Sequence, residues 1–219
     1  MILKKDLTIE ILTKEASVFS EIESKYEEPR LYGVTDGKAV GTYLEHKFKA
    51  YLANTYNYEA GNSASGIDFP ELNIDMKVTS IKQPQSSCPF KSARQKIYGL
   101  GYNLLVFIYD KLDNSITQTG KLNMQYTIFI NKKQTADFQT TKGILEILDR
   151  EGNADDLVAF LQDKNLPIDE IEIYNLVEEI LRNRPLQGYL TISNALQWRL
   201  QYGRVIQKAG EVEGISKIR

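Results

Sequence analysis

The sequence has little of several things that would place it quickly. One cysteine, Cys88, occurs in 219 residues, so there is no internal disulfide and no cysteine cluster for zinc. Cys88 is read as structural or incidental. No apolar run approaches the roughly 18–20 residues that a membrane span requires. The opening stretch MILKKDLTIEIL lacks a signal-peptide core followed by a small-residue cleavage site, which makes the cytoplasm the expected address. There is no excess of one charge: 27 Lys and Arg stand against 29 Asp and Glu, a formal net charge of −2. That balance argues against a protein that coats a polyanion passively, but acidic ligands and a local basic cleft fit within it. Internal repeats, low-complexity tracts and obvious linkers are missing too.

What remains is ordinary for a globular chain, with 42% hydrophobic and 26% charged residues. At this length one good core can be buried, with room for an elaboration, so a single domain spanning residues 1–219 is expected. Thirteen tyrosines are many, but tyrosine is too versatile to decide a function.

The hydrophobic pattern orders the chain. Residues 5–27 are polar with Leu7, Ile9, Ile11, Leu12, Phe19 and Ile22 interspersed, which predicts a helix leading into the core. From 37 to 54, Val40, Leu44, Phe48, Tyr51 and Leu52 recur at spacings of three and four, an amphipathic helix. Residues 54–66, rich in Asn, Gly and Ser, read as a loop. Residues 67–80 read as hairpin-like strands. There Leu72, Ile74, Met76 and Val78 share one face while Asn73, Asp75 and Lys77 share the other. A polar loop over 81–92, with Pro84 and Pro89, precedes a helix over 92–100. The unbroken apolar run at 104–109 reads as a buried central strand, and 126–130 as another. From about residue 141 the pattern is mainly helical, with Leu176, Val177, Ile180 and Leu181 as one apolar stripe. This order predicts an α/β or α+β sandwich with an α-rich C-terminal part.

The chemistry concentrates around Asp75. Asp75 and Lys77, two residues apart on a strand, project side by side. Asp68 lies seven residues earlier, just ahead of Pro70, where a turn can fold it back. Two converging carboxylates make an oxygen-rich site suited to Mg²⁺, and an ammonium beside it suits the charge of a phosphoryl transition state. Glu45, beside the Leu44/Phe48 stripe, can add a third carboxylate.

These residues resemble the PD-(D/E)xK signature of the restriction-endonuclease-like nucleases, with Asp68 and Asp75-Met76-Lys77 in its places and Glu45 as the upstream helix glutamate. The segments Gly37-Lys-Ala-Val-Gly41-Thr-Tyr-Leu44-Glu45 and Asp68-Phe-Pro-Glu-Leu-Asn-Ile-Asp75-Met-Lys77 are similar to the cores of type II restriction enzymes and mismatch-repair nicking endonucleases. The pattern spans about residues 37–80, and the following helix and strand fit the common core to about 110. Two departures stand out: Ile67 occupies the place of the signature's Pro, and Asp75 that of the nicking enzymes' Glu.

The resemblance implies a mixed central sheet flanked by helices, with a nuclease core at about 30–135 and a C-terminal elaboration at about 136–219 for DNA recognition or dimerisation. It implies Mg²⁺, replaceable by Mn²⁺, held by Asp68, Asp75 and the Met76 carbonyl, with Glu45 as a possible further ligand and Lys77 catalytic. The expected activity is that of a type II restriction endonuclease on a specific duplex DNA sequence, leaving 5′-phosphate and 3′-hydroxyl ends. A homodimer is implied, because a two-fold protein reads a palindrome. A repair nickase, a structure-specific nuclease and a non-catalytic DNA-binding module of the same fold are the alternatives.

Other residues carry weaker signals. Lys82, Gln83, Gln85, Ser86, Lys91, Arg94 and Lys96 follow the Asp75 strand and suit phosphate or base-edge contact, or equally a solvated surface. Gln197, Arg199, Gln201 and Arg204 alternate with Leu196, Trp198, Leu200 and Tyr202, either as a DNA-reading face or as an ordinary amphipathic element. Arg182 and Arg184 suit phosphate or the end of a helix dipole. His46, the lone histidine, points about 100° away from Glu45 on a helix and reads as a surface residue, which leaves His-dependent nuclease and triad mechanisms without material. Gly33–Ala39 is short by one residue of a phosphate-binding loop and has Ala where that loop needs Ser or Thr, which excludes an ATP site.

Overall fold

A computed structural model describes residues 4–59, 61, 66–89, 91–193 and 197–219. The chain opens with β1 (Lys5–Asp6), α1 (Ile9–Glu23), β2 (Glu27–Glu28), α2 (Gly37–Ala53) and β3 (Tyr56–Asn57). Then come β4 (Ile74–Ser80), β5 (Gln85–Pro89), α3 (Arg94–Tyr98) and the long pair β6 (Asn103–Asn114) and β7 (Thr119–Ile130). Three helices follow, α4 (Phe138–Asp149), α5 (Ala154–Asp163) and α6 (Glu170–Arg182). The chain ends with β8 (Thr191–Ile192), β9 (Gln197–Gln201), α7 (Gly203–Lys208) and β10 (Ile215–Lys217). None of the described helices is long and apolar enough to cross a membrane.

The residues group into two compact units. The first takes Met1–Gln85, Asn103–Ile130 and Lys208–Arg219 and is built on a mixed sheet in the order β10-β7-β6-β4. β6 and β7 are antiparallel, whereas β4 lies parallel to β6 with Asp75 opposite Leu104 and Lys77 opposite Val106. β6 is central, which explains its unbroken apolar start: Leu104 to Ile108 are all fully buried. α1 and α2 pack their apolar stripes on this sheet, joining Phe19, Leu44, Phe48 and Phe107 in one core. The Phe48 ring meets Phe19 at 4.9 Å and Phe107 edge-on at 5.2 Å. Gly41 is buried on the side of α2 that faces β4, where an added Cβ would lie 3.9 Å from Val78 Cβ.

The second unit takes Ser86–Tyr102 and Asn131–Gln207. Its core joins Ile97 of α3 to Ile144, Leu157, Leu161, Ile173, Val177 and Ile180 from α4, α5 and α6. A three-stranded sheet, β5-β9-β8, completes it. The buried Asp137 caps α4, accepting from Thr140 N–H at 2.9 Å, Thr140 Oγ1 at 2.7 Å and Ile192 N–H at 2.8 Å.

The mixed α+β architecture, the helices around 9–23 and 37–53 and the central strand agree with the sequence reading. Several details differ. The expected polar loop over 81–92 contains strand β5, whose partner β9 lies a hundred residues away and leaves no local signature. The expected hairpin over 67–80 is one strand preceded by a 3₁₀ turn, Pro70–Leu72. The C-terminal part is helical only to Arg182, after which short strands take over. The α6 stripe runs through Ile173, Leu176, Val177 and Ile180, while Leu181 is exposed. Residues 197–201 form a strand with Trp198 and Leu200 buried and Arg199 and Gln201 exposed; Leu196 lies outside the described residues, as do 60 and 62–65 of the expected loop.

Candidate active site

Asp68 reaches Asp75 because the chain between them closes a tight turn. Phe69 and Ile74 exchange backbone hydrogen bonds of 2.9 and 3.1 Å around the 3₁₀ turn. Asn73 makes the final reversal in the left-handed region, φ 53°, a conformation that Asn tolerates better than most side chains. Its carbonyl is held by the N–H of Asn103 at 2.9 Å, which seats the start of β4 against β6. Met76 N–H then donates to Asp68 Oδ2 at 2.8 Å.

Among the described residues β4 is an edge strand of its sheet, with β6 on one side and only the isolated bridge of Ile74 to Phe69 on the other. In an extended residue N–H and C=O face the same edge, so the Met76 carbonyl lies on the Asp68 side, away from β6. Asp75 is buried, 4% exposed, with Lys77 Nζ 2.8 Å from its Oδ2. Glu45, half-buried on α2, is close enough to feel the charges of Asp68, Lys77 and Lys49.

The electrostatics describe a site short of positive charge. Burial raises the Asp75 carboxyl, Lys77 works against that, and the neighbouring Asp68 adds to it; the result is about 7. Glu45 is raised as well, by burial and then by Asp68, with Lys77 and Lys49 opposing. Burial pushes Asp68 upward too, but hydrogen bonds from Lys49, Asp75 and Met76 N–H outweigh it and hold Asp68 below the ordinary carboxylate range. Of the two converging carboxyls, one is thus held ionised and the other favours its proton, as expected of two acids sharing a site.

Lys49 is the residue that sequence reasoning missed. Its Nζ lies 2.6 Å from Asp68 Oδ1. The signal was available, since Lys49 stands four residues after Glu45 and therefore on the same face of α2.

The remaining candidates are dispersed. Lys82 and Gln83 are exposed just after β4, where the backbone carbonyls of Gln83 and Gln85 accept from Thr79 Oγ1 at 3.1 and 2.9 Å. In the second unit, Ser86 Oγ is 2.6 Å from the Tyr202 hydroxyl, and Lys91 and Arg199 are exposed. Arg94 is engaged by Glu179, with three N–H···O contacts of 2.5–3.0 Å, and lies over the Tyr98 ring. Arg204 stacks on Phe138 with 3.6 Å to the ring centre. Arg182 pairs with Glu178 and Arg184 with Asp149. Lys96 is only 4% exposed, so it is not part of a solvated surface. His46 is exposed, as read from the sequence, and Cys88 is buried.

A mixed sheet flanked by helices, with Asp75 and Lys77 on one edge strand and Asp68 folded back beside them, is a nuclease-like α+β core. The family model described as type II restriction enzyme NspV matches residues 6–217. A curated relative, the type II restriction enzyme NspV of Nostoc sp. (strain ATCC 29411 / PCC 7524), is 66% identical over 209 residues, which is 95% of either chain. No solved structure matches the chain. The chain belongs to the NspV family of type II restriction enzymes.

Proposed function

We propose that this protein is a Mg²⁺-dependent restriction endonuclease that hydrolyses phosphodiester bonds at a specific duplex DNA sequence, using Asp68, Asp75 and Lys77. The observation that carries this reading is the folding of Asp68 back onto Asp75 and Met76 along the edge of β4 that faces away from β6, with Lys77 beside them. Kinship with a type II restriction enzyme supports DNA as the substrate and sequence specificity as its mode.

The residues suit a hard divalent ion. Two carboxylates and the Met76 carbonyl offer oxygen only, and the proton that Asp75 retains to about pH 7 marks a site where a cation is wanted. Asp68, Asp75 and the Met76 carbonyl would hold the ion, with Glu45 available on the α2 side. Mg²⁺ there supplies Lewis acidity at the scissile phosphate. Lys77 Nζ, anchored on Asp75, orients the attacking water and places positive charge where the pentacovalent phosphate gathers negative charge. Lys82, Gln83, Gln85, Ser86, Lys91, Arg94, Arg199 and Arg204 are the proposed DNA contacts, and a homodimer is the proposed assembly.

Purified protein incubated with long unmethylated duplex DNA and Mg²⁺ should yield discrete fragments, while EDTA and the Asp75→Ala variant should yield none. Nicks or a smear instead would favour a nickase or unspecific nuclease. Intact DNA together with no binding of Mn²⁺ would leave a non-catalytic member of the fold.

A further inference from the structure

The cleavage reading leaves Lys49, a partly buried cation beside the acidic pair, without a task. Lys49 sits one helical turn beyond Glu45 on α2 and reaches Asp68 Oδ1 at 2.6 Å. Both side chains are largely buried, 23% and 18% exposed. The helix backbone at this point is held as well, since the Tyr58 hydroxyl donates to the Lys49 carbonyl at 2.8 Å. Asp68 thus has both oxygens engaged, Oδ1 by Lys49 and Oδ2 by Met76 N–H. Asp75 already has Lys77 at 2.8 Å, so each carboxylate of the acidic pair carries its own ammonium.

We propose that Lys49 is a positioning residue that stands in for the metal: it occupies the cation position beside Asp68 in the metal-free protein and leaves that carboxylate when a divalent ion binds. The inference rests on the reading of Asp68 as a metal ligand. An ion on Asp68 at the usual Mg²⁺–oxygen distance of about 2.0–2.1 Å would lie within about 5 Å of an ammonium still seated on the same oxygen. In a half-buried site that repulsion is poorly screened, so one positive centre must yield. A four-carbon stem lets the lysine swing away, whereas β4 fixes the carboxylates.

Lys49 therefore does two opposed things. It keeps the empty site folded, because Glu45, Asp68 and Asp75 facing Lys77 alone would be buried carboxylates short of partners. It also weakens metal binding, since the ion has to displace it.

The test is a Mn²⁺ titration of the full chain without DNA, followed by electron paramagnetic resonance of the free ion and by thermal unfolding. Lys49→Met should bind Mn²⁺ about ten-fold more tightly than wild type, the factor that roughly 1.4 kcal/mol of relieved repulsion produces. Lys49→Gln, which keeps a hydrogen-bond donor without the charge, should tighten binding likewise, and it serves if the methionine variant fails to fold. Lys49→Arg keeps the charge and should stay close to wild type. Without metal, the two neutral variants should unfold at lower temperature and gain more from Mn²⁺ than wild type does. Unchanged or weaker Mn²⁺ binding by both neutral variants would overturn the proposal. If Asp68→Asn binds Mn²⁺ as well as wild type does, the metal-ligand reading itself fails, whatever the Lys49 variants do.

Discussion

At the scale of single residues the site is governed by the cost of charging Asp75. Its carboxyl is held up to about 7 in the fold, against about 3.9 for an unperturbed aspartate. The folded state therefore binds this proton more tightly than the unfolded chain does. The stability it contributes is complete below about pH 4 and is lost as pH rises through 7, with a slope of at most about 1.4 kcal/mol per pH unit. Asp68 and Glu28 have lowered values and act in the opposite sense, stabilising at neutral pH and losing that as pH falls. A comparison of one protein with itself across pH would mix these effects, so a difference is needed. Metal-free Asp75→Asn should be more stable than metal-free wild type at pH 8 and nearly equal to it at about pH 4. Denaturant unfolding at both values measures this. A variant that is less stable at pH 8 would mean that the Lys77 ion pair outweighs burial. The same proton links to the metal: below pH 7, Mn²⁺ uptake by wild type should release a proton that Asp75→Asn does not release.

Among the elements, the turn from Asp68 to Asp75 decides whether the carboxylates meet. Asn73 holds a left-handed conformation at its end, and a β-branched side chain there is strained by about 1–2 kcal/mol. Asn73→Val should lower stability by that amount in denaturant unfolding and weaken Mn²⁺ binding, because β4 then starts out of place beneath Asp68. Asn73→Gly, free to adopt the angle, should keep Mn²⁺ binding. Equal metal affinity in both variants would separate the turn from the site. Part of this element was legible beforehand: the alternation of residues 74–78 depends on local periodicity, which a sequence displays, as it does the order of Glu45, Asp68, Asp75 and Lys77, whereas Leu72 and Asn73, read as strand, belong to the turn. Lys49 was legible in principle from its spacing to Glu45, but its partner became evident only once the turn had closed. β5 was not legible, since Gln85 to Pro89 holds no β-branched residue and pairs with a strand a hundred positions later. The engagement of Arg94 by Glu179 and of Arg204 by Phe138 likewise joins distant segments, so composition alone showed basic residues without showing what already holds them.

For the whole molecule the question is how one chain breaks two strands. The described residues carry a single set of Asp68, Asp75 and Lys77, and as the proposed hydrolytic centre that set would cut one strand at a time. A net charge of −2 provides no general attraction that would hold a chain on DNA between two successive cuts. The proposed homodimer would remove the difficulty, because each of two copies related by a two-fold axis would face one strand of a palindromic site and both would cut within one encounter. Sedimentation should then give a species of twice 25.0 kDa, either free or on DNA. Supercoiled plasmid with one site should pass to the linear form with little nicked circle on the way. Co-expression with Asp75→Ala chains supplies the decisive comparison: mixed dimers with one working centre should turn plasmid into nicked circle and stall there. If instead wild type sediments as one chain, and nicked circle accumulates before linear DNA without any mutant present, the two strands are cut by separate encounters and the two-fold assembly is wrong.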